Sequence, residues 1–552
     1  MDQDLQSIQQ ARDLVRRACS AQKQYQTFSQ EQVDAIVSAM AQAGEQAAER
    51  LAQMAHEETG FGRPDSKKIK NLFATKILHE RMADMKTAGI IRKLENDTIW
   101  EIATPMGVVA ALIPSTNPTS TALYKALISA KARCGIVMSP HPRAVRSTAE
   151  ALKVVAEAAY ASGAPEGLFG CMTEVSLAGT NTVLEHADTD VILATGGTAM
   201  VRAAYSKGKP AYGVGSGNVP VYVDRSADVD KAAADSIYGA SFDWGTLCST
   251  ERSVVADYPI KARLVAAMSR EGAYFLNDDE KARLRGVLLH KGRLNVDQVG
   301  RAPQYIARMA GFSVPQETRA LVAEVERVGK EEPLSMETLS PILALYTVDG
   351  WQAGCDRCIE VLKFGGIGHT LGIHCTSEHV IEAFALQKPS MRIVVNTVAA
   401  LGSVGYTNRL FPAMTLGPGT LGGSITSDNV SPLHLLNIKR LAFETQPIHP
   451  GKGPGAIKPA GKQLGQQAEK QTGGMKPGRW MDEIEARLLA RAGNPVVPSA
   501  RPEAPSVAPG SPSHPPSGAQ PSAPQPASPQ PSSAALPLAE GQIAALIRQF
   551  KK

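Results

Sequence analysis

Between residues 100 and 440 one pattern recurs: a short apolar run that ends in turn residues, followed by a stretch with helical spacing. Gly107-Val-Val-Ala-Ala-Leu-Ile113, Gly135-Ile-Val-Met138 and Val191-Ile-Leu-Ala194 are such runs, and Ala149 to Ala161 is one of the helical stretches between them. Helices between consecutive apolar strands are the crossovers that parallel pairing needs, so the pattern predicts an α/β fold of βαβ units on mostly parallel sheets. Residues 1–95 follow another pattern. Alanine, glutamine, glutamate and lysine dominate there, and Val33, Ile36, Val37 and Met40 recur at helical spacing, which predicts helices.

A chain of 552 residues exceeds one compact core and implies two or three domains. A net charge of +5 gives no electrostatic case for a nucleic-acid partner. No apolar stretch approaches the length of a membrane helix, and the N-terminus, with Asp2 and Asp4 and no apolar run, does not read as a secretory signal. The seven cysteines are scattered and odd in number, which points to a reducing, cytoplasmic setting.

Beyond residue 447 the pattern stops. Pro495 to Pro537 holds 14 of the 37 prolines, too many for a packed core, and reads as a disordered spacer. Residues 480–490 suggest a short helix. In the last fifteen residues Ile543, Leu546, Ile547 and Phe550 form one apolar stripe. Such a stripe after a long tether reads as a docking helix for another protein's groove, or as a frayed tail.

Three segments carry chemistry. Ser241-Phe-Asp-Trp-Gly-Thr-Leu-Cys-Ser-Thr-Glu251 sets Cys248 among small residues. A thiolate attacks an aldehyde carbonyl, although a single cysteine is more commonly a small buried hydrophobe. Thr195-Gly196-Gly197-Thr198 joins a strand to a helix, as a phosphate-binding helix start or an ordinary turn. Ile113-Pro-Ser-Thr-Asn-Pro-Thr-Ser120 places Asn117 between a strand and a helix, as an oxyanion donor or a helix N-cap. Cys355-Asp-Arg-Cys358 has no second pair nearby and reads as structural rather than as a zinc or redox site, so no metal is expected. His141 and Arg143 read as phosphate contacts or as a surface loop, and His369 as an active-site or a structural histidine.

In order along residues 5–445, the motifs PSTNPTSTALYKALISAKAR (114–133), SPHPRA (139–144), ATGGTAMVRAAYSKGKPAYGVGSGN (194–218), the Cys248 segment, ETLSPILALY (337–346) and GGIGHT (365–370) resemble the aldehyde dehydrogenase superfamily. Within it they resemble the CoA-acylating branch, notably the aldehyde dehydrogenase half of bifunctional alcohol/acetaldehyde dehydrogenases. The resemblance implies a Rossmann-like cofactor domain with the helical N-terminus over 1–240 and an α/β catalytic domain over 241–420. Residues 421–446 then return to the core or serve oligomerisation, 447–537 are a mostly disordered linker, and 538–552 are the amphipathic helix.

It further implies Cys248 as nucleophile and Asn117, with the Cys248 amide, as the oxyanion hole. Glu337 would hold a cofactor ribose. Ile113, Pro114, Ser115, Thr116, Asn117, Gly197, Gly215 and Leu421 would line the nucleotide site. NAD is the expected cofactor, with NADP left open, and coenzyme A the acyl acceptor. Hydrolytic members carry a glutamate where Val214 stands, 34 residues before Cys248. Valine activates no water, so the thioester would await coenzyme A. The expected activity is oxidation of a short aldehyde, propionaldehyde or acetaldehyde, to its acyl-CoA. The competing readings are a hydrolytic or semialdehyde dehydrogenase, an acyl-phosphate reductase, and a cargo adaptor without catalysis. After residue 445 no iron-dependent alcohol dehydrogenase segment follows, so alcohol formation is not expected. The tail resembles the encapsulation peptides of bacterial microcompartment cargo, which implies a shell protein or fellow cargo as partner and a place inside a microcompartment. A homodimer or homotetramer is implied by the same resemblance.

Overall fold

The computed structural model describes residues 2–449. Five α-helices and one π-helical turn, Phe73–Ile77, open the chain between Gln3 and Met82. Val33, Ile36, Val37 and Met40 all face inward from the helix Gln30–Gln46, as their spacing predicts. Each fully buried side chain of this size contributes about 1.5–3 kcal/mol. The helices end sooner than expected, because Gly89–Leu94 is a strand. It is largely exposed and shows no apolar face that would announce it.

Two parallel sheets follow. The first has five strands in the spatial order Phe169–Cys171, Gly135–Pro140, Val108–Ile113, Val191–Thr195, Ala211–Val214. The strand earliest in sequence, Val108–Ile113, lies in the middle, and the chain winds outward from it in both directions. The winding reverses between Val108–Ile113 and Val191–Thr195. In such sheets the crevice beyond the carboxyl ends of these two strands is where ligands bind. The segments Pro114–Asn117 and Gly196–Thr198 continue from those two ends.

The second sheet has seven parallel strands in the order Ala273–Phe275, Ala320–Glu324, Ile342–Val348, Glu251–Asp257, Val219–Val223, Gly368–His374, Ser390–Val395. Its central strand, Glu251–Asp257, and the neighbouring Val219–Val223 are buried throughout. The sheets therefore divide between Val214 and Val219, and the strand Val219–Val223 and helix Val229–Ser241 belong with the cysteine's sheet, ahead of the break at 240 read from sequence. Apolar content announces a buried strand but not which sheet it joins. A third, antiparallel sheet joins Gly89–Leu94, Ile99–Pro105 and Leu436–Ala442, so part of 421–446 closes back onto the start of the α/β region. The expected helix at 480–490, the linker and the tail at 538–552 lie outside the described residues.

Candidate active site

Cys248 sits on the short connection between the helix Val229–Ser241 and the strand Glu251–Asp257. The connection turns sharply: Asp243, Trp244 and Gly245 have φ of 48°, 49° and 73°. Two consecutive non-glycine residues in the left-handed region cost about 1–2 kcal/mol each. Partners hold them there. Asp243 is wholly buried and accepts from the Arg63 amide at 2.6 Å, Lys67 Nζ at 3.1 Å, Thr246 Oγ1 at 2.6 Å and Lys70 Nζ. The Arg63 guanidinium lies 5.2 Å over the Trp244 ring. Beyond the cysteine, Ser249 Oγ donates to the Ala400 carbonyl at 2.9 Å and Glu251 accepts from the Ala399 amide at 2.5 Å. Both sides of Cys248 are thus pinned.

Asn117 stands at the N-cap position of the helix Pro118–Lys131, but its side chain makes no capping bond. Its amide turns toward the cysteine loop, with Nδ2 donating to the Thr246 carbonyl at 3.2 Å and to Thr116 Oγ1 at 3.1 Å. Oδ1 accepts from Lys70 Nζ at 2.5 Å. The structure thus brings Asn117 and the Cys248 loop together from segments 129 positions apart.

A cleft of about 780 Å³ opens on the other side. Gly215, Glu337, Leu421, Thr198 and His369 are among its lining residues. Glu337 Oε1 accepts from the Gly217 amide at 3.1 Å. A Cβ on Gly217 would overlap the Cys248 carbonyl oxygen and stand 3.1 Å from the His369 ring. Residue 217 therefore threads between the Cys248 loop and the histidine, and only glycine fits. Gly197 is the N-cap of the helix Thr198–Tyr205 and is open: a Cβ placed there would meet no atom within 4 Å. A Cβ on Gly215 would press on Thr198 Oγ1 at 3.3 Å. Ile113 is buried at the end of its strand, and Pro114, Ser115 and Thr116 follow it half-buried. These four lie at the sheet's crevice and do not line the 780 Å³ cleft. The bare helix start at Gly197, the close approach of Gly215 to Thr198 and the Glu337 carboxylate are features that fit a nucleotide with a ribose to hold.

Electrostatics set the resting state. Burial, reinforced by the Glu337 carboxylate, pushes the Cys248 thiol up to about 12, with Arg392 and Arg252 opposing. Burial lifts the Glu337 carboxyl to about 7, with Arg252 and the Gly217 amide opposing. Burial and the neighbouring Arg392 hold His369 down at about 3, so its imidazole is neutral. Its Nδ1 meets Thr370 Oγ1 at 3.0 Å, and its buried Nε2 has no hydrogen-bond partner among the described residues. Val214 ends its strand buried in the main apolar core. Cys355 and Cys358 are buried in the helix Gly350–Phe364, and Cys355 Sγ meets Gln387 Oε1 at 3.4 Å.

A loop carrying a cysteine, an asparagine amide turned toward it and a cleft of nucleotide size meet here. The model of the aldehyde dehydrogenase family matches residues 4–279. The chain belongs to the aldehyde dehydrogenase family. It is 40% identical over 434 residues to the bifunctional aldehyde-alcohol dehydrogenase AdhE of Escherichia coli, covering 78% of this chain and 49% of that protein. The chain thus spans about half the length of such curated relatives. The crystal structure of an acetylating aldehyde dehydrogenase from Geobacillus thermoglucosidasius is similar at 50% identity and TM-score 0.80, over 81% of this chain and 99% of that one. Two family members of known structure are more distant, each with TM-score 0.71 over 78% of this chain. One is a propionaldehyde dehydrogenase from the Clostridium phytofermentans fucose utilisation microcompartment, 27% identical over 97% of that chain. The other is a Rhodopseudomonas palustris propionaldehyde dehydrogenase with bound CoA and an acylated cysteine, 28% identical over 96% of that chain.

Lys67, Lys70, Asp243, Arg252 and Arg392 carry no site motif in the sequence. Buried charge is the signal that could have found them: Lys67 and Lys70 sit in an otherwise ordinary helical stretch, and only their burial sets them apart.

Proposed function

We propose that the chain oxidises a short aldehyde with a nicotinamide cofactor and passes the acyl group from Cys248 to coenzyme A. One observation carries the choice of acceptor. Val214, in the place of the hydrolytic glutamate, is a buried aliphatic side chain and activates no water. Of the carboxylates at the loop, Asp243 is tied to Lys67, Lys70 and Thr246, and Glu251 and Glu337 each accept a backbone amide, from Ala399 and Gly217.

In this reading the Cys248 sulfur adds to the aldehyde carbon, and the thiol proton leaves to solvent. The oxyanion receives the Cys248 amide and the Asn117 Nδ2 hydrogen that bonds Thr116 Oγ1 in the resting site. Gly197, Gly215, Glu337 and Leu421, with Ile113 to Asn117 at the crevice, hold the cofactor, NAD in the first instance and NADP as the alternative. A bound nicotinamide supplies the hydride acceptor that leaves a thioester on Cys248. The coenzyme A thiol gives its proton to solvent, its sulfur attacks the thioester carbon, and Cys248 departs as thiolate. The named relatives that acetylate, or that hold CoA beside an acylated cysteine, support this sequence.

The choice of a short aldehyde, acetaldehyde or propionaldehyde, is supported by the relatives named as acetylating and propionaldehyde dehydrogenases. The edge strand Ser390–Val395, with Met391 and Val395 exposed, suits pairing with a second copy in a dimer or tetramer. The stripe Ile543, Leu546, Ile547 and Phe550 and the fucose-microcompartment relative support a place as microcompartment cargo. Deleting 538–552 should release the enzyme from purified shells; retention would count against that placement. The catalytic reading is tested by the dependence of NADH formation on coenzyme A.

A further inference from the structure

The oxyanion donor is backed by charges supplied from elsewhere in the chain. Lys67 and Lys70, one turn apart on the helix Pro64–Leu72, both reach Asp243 in the nucleophile loop. All three are buried, with side-chain exposures of 2%, 4% and 0%. Lys70 makes a second contact through the same nitrogen, to Asn117 Oδ1 at 2.5 Å.

An asparagine amide has two nearly identical ends, and only the NH₂ end can stabilise an oxyanion. A lysine ammonium donates and never accepts, so charged Lys70 beside one end of Asn117 fixes that end as the oxygen. The Thr246 carbonyl, an acceptor only, meets the other end at 3.2 Å and fixes it as the nitrogen. Both partners impose the same orientation, with NH₂ toward the Cys248 loop. The contact also draws electron density toward Oδ1 and sharpens the Nδ2 hydrogens as donors. Lys70 is held in turn by Asp243, whose other contacts are Lys67 Nζ, the Arg63 amide and Thr246 Oγ1. A Cβ on Gly62 would overlap the Asp243 carboxylate, so the chain closes tightly around the group.

We propose that Lys70 is a positioning residue for the oxyanion hole: anchored by Asp243, it orients and polarises the Asn117 amide toward the carbonyl attacked by Cys248. The proposal rests on the reading of Asn117 and Cys248 given above. Burial of a cation that has only one carboxylate to share with a second lysine is costly, and a function explains its retention. Burial lowers the Lys70 ammonium to about 7, Asp243 opposing and Lys67 adding to the fall. Either protonation state keeps an N–H for Oδ1.

The test uses two reactions of the same thiol in the full-length protein without nicotinamide. p-Nitrophenyl acetate acylates Cys248 through a tetrahedral oxyanion, with nitrophenolate leaving and the thiol proton released to solvent. Iodoacetamide alkylates Cys248 by direct displacement of iodide, and no oxyanion forms. Asn117→Ala should slow acylation about 10²–10³-fold. Lys70→Met should slow it at least about tenfold and leave alkylation within about twofold, and Lys70→Met/Asn117→Ala should be no slower than Asn117→Ala alone. Lys70→Gln, which keeps a neutral donor, should fall between Lys70→Met and wild type, and it carries the same comparison if the methionine variant does not fold. Equal losses in acylation and alkylation, or multiplying losses in the double variant, would overturn the proposal. A slowed Asn117→Ala with unaltered Lys70 variants defeats this proposal alone. An inert Asn117→Ala defeats the oxyanion assignment and this proposal with it.

Discussion

The amide of Gly217 donates to the Glu337 carboxylate at 3.1 Å, and the same residue passes against the carbonyl of Cys248. One backbone position thus couples the cleft wall to the nucleophile loop. Any side chain at 217 must displace the Cys248 carbonyl or the His369 ring, 3.1 Å away. Gly217→Ala should lower kcat/KM for the aldehyde about 10²-fold through misplacement of the thiol. Steady-state kinetics check this, and wild-type kinetics in a folded variant would contradict it.

The resting thiol should be a poor nucleophile. With its pKa pushed up to about 12 by burial and Glu337, Cys248 is protonated at neutral pH. Alkylation by iodoacetamide should therefore accelerate about tenfold per pH unit between pH 7 and 9, following the thiolate fraction. Glu337→Gln removes the neighbouring negative charge and should speed alkylation at pH 8. A plateau above pH 7 in the wild type would mean the thiol is already ionised.

Glu337 should also make cofactor binding depend on pH. Its carboxyl, raised to about 7 by burial, is neutral below that pH and ionised above it. A ribose hydroxyl donates best to the ionised form, so KM for NAD should fall as pH rises from 6 to 8. Glu337→Gln should raise KM and flatten that dependence. Equal pH profiles for the two proteins would remove Glu337 from the ribose site.

Glu251 should make stability fall with pH. Burial lifts its carboxyl from 4.5 to about 8, its hydrogen bonds from the Ala399 and Ala400 amides opposing. Below pH 4.5 native and unfolded chains both hold the proton. Between 4.5 and about 8 the unfolded chain has released it while the native state retains it, so stability falls as pH rises and levels off above 8. The slope approaches about 1.4 kcal/mol per pH unit. Glu251→Gln keeps an oxygen for the Ala399 amide and carries no titrating proton, so its melting temperature should fall less between pH 5.5 and 8. Parallel melting curves would contradict the assignment.

Much of this organisation is legible in the sequence, and the remainder is hidden for physical reasons. The buried face of Gln30–Gln46 and the strands ending at Ile113 and Thr195 are written in local apolar periodicity. Asn117 and Cys248 are legible as residue types between elements, and the family motifs place them in one site. The strand Gly89–Leu94 is exposed along most of its length and leaves no periodic signal. Lys70 and Asp243 are 173 positions apart, and no local pattern pairs them. The turn at Asp243 and Trp244 is equally hidden, because aspartate visits φ near +50° only occasionally and tryptophan hardly at all, and tertiary partners enforce it.

The central claim is that coenzyme A, and not water, takes the acyl group from Cys248. The direct measurement follows NADH formation from propionaldehyde and NAD, with and without coenzyme A, in the wild type, Cys248→Ala and Val214→Glu. The account predicts sustained turnover only with coenzyme A and none in Cys248→Ala. It also predicts a gain of coenzyme-A-independent turnover in Val214→Glu, at some loss of stability from burying a carboxyl. Equal wild-type turnover without coenzyme A would contradict the account, since another group would then be activating water against the thioester.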